Sequence, residues 1–91
     1  MGEIAAASGD FDGAESALRE ALGSLQQLPD THWLRGNAES ALGAVLLAQG
    51  DTVGGAGLLA RGYSSVSSQL GPGDPLVRMA LTRMAALATV P

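Results

Sequence analysis

Apolar residues in this chain recur at steps of three and four, and nowhere do they alternate. Between Asp12 and Leu28 they are Ala14, Ala17, Leu18, Ala21, Leu22, Leu25 and Leu28. That spacing lays one apolar stripe along an α-helix, whereas a half-buried strand needs a period of two. The pattern returns at Trp33, Leu34, Ala38, Ala41, Leu42, Val45 and Leu46. It returns again at Leu76, Val77, Ala80, Leu81, Met84, Leu87 and Ala88. The predicted class is all-α, with antiparallel helices joined by short turns.

The residues between the stripes predict where each helix starts and stops. Asp12 with Glu15 three residues on forms a candidate capping box, and Pro29 ends the first helix near Leu28. Asp30 or Thr31 caps the second, which runs to about Gln49 and stops at Gly50. Gly71-Pro72-Gly73 is a break, after which Asp74 caps the last helix and Pro75 takes its first position. Between Asp51 and Leu70 the helical spacing persists at Leu58, Leu59, Tyr63, Val66 and Leu70, but Gly54, Gly55, Gly57 and Gly62 lie inside it. Each glycine costs a helix roughly 0.5–1 kcal/mol relative to Ala, so this helix is expected to hold only through tertiary packing. Replacing Gly55 and Gly57 with Ala is then expected to raise the melting temperature.

Composition removes whole classes of chemistry. The 91 residues make a single small domain, 46% hydrophobic and 15% charged, which is too apolar for a disordered tail. There is no cysteine, hence no disulfide, thiolate metal site or cysteine nucleophile. The absence of lysine excludes Schiff-base chemistry and a phosphate-loop lysine. One histidine leaves a zinc site dependent on carboxylates. A net charge of -4 gives no footprint for nucleic acid or anionic lipid, and no apolar run approaches the roughly 20 residues that span a bilayer. The start, Met1-Gly2-Glu3-Ile4-Ala5, lacks the basic and long apolar regions of a signal peptide, so the expected location is the cytoplasm. Sixteen alanines, with arginine in place of every lysine, suggest a GC-rich genome.

The chain also repeats itself. Gly9-Asp10-Phe11-Asp12-Gly13-Ala14 resembles Gly50-Asp51-Thr52-Val53-Gly54-Gly55, so that Gly9 falls on Gly50 and Ala14 on Gly55. A two-helix unit of this length is the signature of an α-solenoid. Glu39-x2-Leu42-Gly43-x2-Leu46, then Gly55-x3-Leu59, then Gly62 resembles the tetratricopeptide repeat (TPR) pattern Trp-x2-Leu-Gly-x2-Tyr, Ala-x3-Phe, Ala. Glu stands for its Trp and Leu for its Tyr. In the preceding unit Ala14-x3-Leu18 and Ala21 fit the pattern, with Phe11 where the family prefers an aromatic. The stretch Leu70-Gly71-Pro72-Gly73-Asp74-Pro75-Leu76-Val77 is similar to the linker of kinesin-light-chain-like repeats, a subtype with longer helices and a longer repeat unit. The resemblance implies a short TPR-like solenoid over residues 1–91. Residues 1–29 are a partial repeat whose first eight residues end a first A-helix. Residues 30–71 are a complete repeat, and 72–91 a third A-helix or capping helix. A plain helical bundle is the alternative.

Most residues that invite a chemical reading have a structural one that suffices. His32 beside Asp30 has the composition of a base and its orienting acid, but its place predicts a first-turn residue next to a helix cap. Asp10-x-Asp12 opens like a calcium loop and lacks the glycine and bidentate Glu that would complete it. No serine sits in a Gly-x-Ser-x-Gly elbow. Trp33 is expected to pack between units with Tyr63 at its rim, and Met1, Met79 and Met84 to fill gaps. No catalytic residue, cofactor site or metal site is predicted.

What the resemblance implies instead is a concave surface lined by A-helices. Here it falls on Asn37, Ser40, Ala44 and Leu47, and on Met79, Thr82, Arg83 and Ala86. Asn37 would bond the backbone of an extended peptide, Arg83 would meet a carboxylate, and the alanines would leave room for side chains. The expected function is a non-enzymatic scaffold that holds a protein or peptide segment in this groove. The alternatives are a regulatory segment of a larger bacterial signalling protein, such as a Ser/Thr kinase or transcriptional regulator, and a purely structural end of a repeat array. Because solenoids need about three repeats to stand alone, the chain is expected either to pair with itself or to continue a longer solenoid.

Overall fold

A computed structural model describes residues 11–29 and 32–89, and every regular element in it is helical. The elements are α1 (Phe11–Ser24), α2 (Trp33–Ala48), α3 (Thr52–Gln69) and α4 (Pro75–Ala85), followed by a 3-10 turn at Ala86–Thr89. The first-helix tail in residues 1–8, together with Asp10, Asp30 and Thr31, lies outside the described residues.

The caps explain where the chain turns. α2 starts at His32, whose Nδ1 accepts the backbone N–H of Leu34 at 3.1 Å. It ends at Gly50, the one described residue with positive φ, at 94°. The N–H of Gly50 donates to the Leu47 carbonyl and that of Asp51 to the Leu46 carbonyl, at 3.0 and 2.9 Å. This paired closure needs the left-handed conformation that only glycine adopts without cost. Asp51 then caps α3 at once, its Oδ1 accepting the Gly54 N–H at 3.0 Å. Asp74 caps α4 by accepting from Leu76 at 2.9 Å, with Pro75 at the first position as expected.

Four boundaries differ from the sequence reading, the first being the start of α2, which His32 caps where Asp30 or Thr31 is expected. Asp12 sits inside the first turn of α1 and is not its cap. α1 stops at Ser24, well before Leu28, because Leu25 and Leu28 close tighter i→i−3 bonds to Leu22 and Leu25. Its last turn is held from α2, where Arg35 Nη1 donates to the Leu28 carbonyl at 3.0 Å. α4 likewise yields to a 3-10 turn after Ala85.

Packing runs in chain order. α1 lies on α2, α2 on α3 and α3 on α4, with α2 also reaching α4. The α2–α3 contact is the most extensive, and it is made by backbone approach. A Cβ built on Gly62 would lie 2.5 Å from the Gly36 carbonyl oxygen and 2.7 Å from the Ser40 nitrogen. One on Gly43 would lie 2.8 Å from the Gly55 oxygen. Around this crossing sit the buried apolar side chains Leu42, Leu46, Leu59, Val66, Val77 and Ala80. Of the glycines that weaken α3 by propensity, Gly55 and Gly62 are therefore what allow its packing, while Gly54 faces its own Asp51 cap. Gly57 takes no part, having nothing near its would-be Cβ.

Candidate functional site

The predicted surface falls on the face that α2 and α4 share, and Arg83 is its centre. The Arg83 guanidinium reaches from the last turn of α4 back to α2. Its Nη1 donates to Ser40 Oγ at 3.2 Å and to Asn37 Oδ1 at 3.5 Å, while Nη2 lies 3.1 Å from Met79 Sδ. Among the described residues these partners are all uncharged. Half-burial pushes the Arg83 guanidinium below its ordinary value through desolvation alone, yet an arginine stays charged at any physiological pH. The site is thus a partly desolvated cation held by neutral groups, which strengthens its attraction for an incoming anion.

The other predicted residues are arranged around this cluster with different standing. Ser40 is 0% exposed, so it positions Arg83 and offers no open surface. Met79 is 44% exposed and is not a core filler. Ala44 is half-buried one turn beyond Ser40, on the same side of α2. Ala86 is exposed at the start of the 3-10 turn. Thr82 is exposed and turns its hydroxyl back to the Arg78 carbonyl at 2.9 Å. Leu47 lies apart from the cluster, against Gly55 at the α2–α3 crossing. The structure therefore gathers Asn37, Ser40, Met79 and Arg83 into one contact set.

The sequence matches no family model, and neither a curated protein nor a solved structure matches it.

Other polar residues serve the fold. His32 spends its Nδ1 on the α2 cap and stacks on Trp33 at 5.9 Å. Among the described residues no three His, Cys, Asp or Glu are grouped to hold a metal ion. None of the described helices is long and apolar enough to cross a membrane. Two ties between helices carry no periodic signal in the sequence. Gln69 Oε1 accepts the Trp33 N–H at 3.1 Å, and Gln49 Nε2 donates to Asp12 Oδ1 at 3.3 Å.

One buried polar residue is unusual. Glu39 is 3% exposed, deep on α2, where the TPR pattern has Trp. Its Oε2 is 3.5 Å from Arg61 Nη1 on α3, and its Oε1 has no hydrogen-bond partner.

Proposed function

We propose that this chain is a TPR-like interaction module of the cytoplasm that holds an extended peptide segment ending in, or carrying, a carboxylate. The observation that carries the reading is Arg83, a half-buried cation whose described acceptors are uncharged, standing between two helices on one face. Recognition would be by shape and a few hydrogen bonds, with no bond made or broken. Asn37 would bond the peptide backbone, and Met79 and Ala86 would accommodate its side chains.

Burial supports the repeat reading. Glu39, Leu42, Gly43, Leu46, Gly55, Leu59 and Gly62, the positions that carry the resemblance in the second unit, are buried, whereas Phe11, Ala14, Leu18 and Ala21 of the first unit are half-buried or exposed.

The test starts from peptides selected against the chain in a random display library. Their affinity is then measured for the wild type and for Arg83→Gln, with circular dichroism as the fold control. Acid-rich or carboxyl-terminal peptides are expected, with affinity reduced about tenfold or more in the variant, as for loss of a charge-assisted contact. Selected peptides with no acidic preference, or an unchanged affinity, would overturn the assignment.

A further inference from the structure

The weakest contact around Arg83 is one that covalent chemistry can change. Nη1 has two oxygen acceptors, Ser40 Oγ and Asn37 Oδ1, whereas Nη2 meets Met79 Sδ at 3.1 Å. A thioether sulfur is a poor acceptor, so an incoming carboxylate displaces it from Nη2 at little cost. Met79 stands one turn before Arg83 on the same side of α4, and it is 44% exposed. Met84, further along the same helix, is half-buried. The chain has no cysteine, so a peroxide finds no thiol in it, and methionine is the sulfur it oxidises.

Oxidation turns the weak contact into a strong one. A lone pair of Met79 Sδ attacks one oxygen of hydrogen peroxide, and the O–O bond breaks. Sulfur gives up two electrons and keeps that oxygen, while the other oxygen leaves as water with both protons of the peroxide. The sulfoxide oxygen carries partial negative charge and accepts from a guanidinium at roughly 2.8 Å. Sulfur has to back away from Nη2 to admit the oxygen, which the rotatable bonds of an exposed methionine allow. Both arms of the guanidinium are then filled, Nη1 by Ser40 and Asn37 and Nη2 by the sulfoxide. A carboxylate has to break a charge-assisted bond where before it displaced a thioether.

We infer that Met79 is a redox-modification site, at which a peroxide closes the Arg83 site to carboxylates. A dithiol reductant reopens it, the oxygen leaving as water while the two thiols join in a disulfide. The inference rests on the carboxylate reading of Arg83 and supplies its regulation.

The test treats the full 91-residue chain with hydrogen peroxide and locates the oxidised methionines by peptide mass spectrometry. Met79 is expected to gain oxygen before Met84. Thermal unfolding, which needs no peptide, is compared before and after treatment in the wild type and in Arg83→Gln. Oxidation is expected to shift the melting temperature about 4 °C more favourably in the wild type, because the variant has no guanidinium for the sulfoxide. Affinity for acidic peptides selected on the untreated chain is expected to fall about fivefold to tenfold on oxidation. It should return after treatment with the two epimer-specific sulfoxide reductases and dithiothreitol. Met79→Leu, compared with its own untreated affinity, should not respond to peroxide. Met79→Gln, with a permanent amide oxygen, should bind as weakly as the oxidised wild type. Earlier oxidation of Met84, equal melting shifts with and without Arg83, or an affinity that survives oxidation would each overturn the inference while leaving the peptide reading in place. Failure to select any acidic peptide would overturn that reading, and this inference with it.

Discussion

Adding a single methyl group at Gly62 tests the fold most directly. The new Cβ would lie 2.5 Å from the Gly36 oxygen, 2.7 Å from the Ser40 nitrogen and 2.8 Å from Ser40 Cβ. None of these atoms can rotate away. Ordinary heavy-atom contact begins near ~3.5 Å, so α2 and α3 must part by about 1 Å at the crossing. The gap loosens Leu42, Leu59 and Val66, which are 0–1% exposed and have no other packing to turn to. Overpacking of this kind costs about 3 kcal/mol, and the better helix propensity of Ala returns about 1. The net loss is roughly 2 kcal/mol, from a total of about 5–15 for a domain of this size. At about 4–8 °C per kcal/mol, the melting temperature of Gly62→Ala should fall by roughly 10 °C. Gly57→Ala in the same helix is the matched control. Nothing lies within 4 Å of its Cβ, so propensity acts alone and the melting temperature should rise by about 4 °C. Thermal unfolding followed by far-ultraviolet circular dichroism compares them. If Gly62→Ala melts at or above Gly57→Ala, the close crossing of α2 and α3 is wrong.

Two further outcomes follow from the polar groups. Glu39→Leu should stabilise the chain by about 1 kcal/mol or more in denaturant unfolding, because it removes a buried carboxylate oxygen that no donor satisfies and leaves Arg61 in solvent. A loss of stability would mean that the Arg61 pair outweighs the desolvation of Glu39. The third concerns pH. Arg19, at 2.7 Å, holds the Glu15 carboxyl below its ordinary value of 4.5, with Gln49 helping. A lowered carboxylate stabilises the fold above its unfolded value and loses that contribution as pH falls through its folded value. The melting-temperature gap between wild type and Glu15→Gln should therefore be small and constant near neutrality, begin to shrink as pH falls past 4.5, and vanish once the folded-state carboxyl is protonated. A gap that widens on acidification would contradict the pairing.

The number and order of helices were legible because spacing, Gly50 and Asp74-Pro75 all state the same thing locally. The helix ends were less so. α1 stops short of Pro29 because its last turn is finished by Arg35, which lies beyond the next turn of sequence. Gly55 shows where local reasoning fails. By propensity it resembles Gly57, and Ala at either position is expected to stabilise. In the structure a Cβ at Gly55 would meet the Gly43 oxygen at 2.8 Å and the Leu47 nitrogen at 3.0 Å, so only Gly57 gains from the change. The candidate site was legible as a pair of helix faces. That Arg83 would gather Asn37, Ser40 and Met79, and leave Leu47 to α3, depends on how the helices cross, which no single stripe encodes.

The corner at Gly50 and Asp51 has a consequence for how the chain folds. Asp51 completes the end of α2 and opens α3 in the same residue, so the connection holds no slack. Closing so short a loop costs little chain entropy, and its reward, the α2–α3 contact, is the most extensive among the described helices. The folding nucleus is expected there. Substitutions at Gly50 or Asp51 would then slow folding, while changes in α1 would act by hastening unfolding.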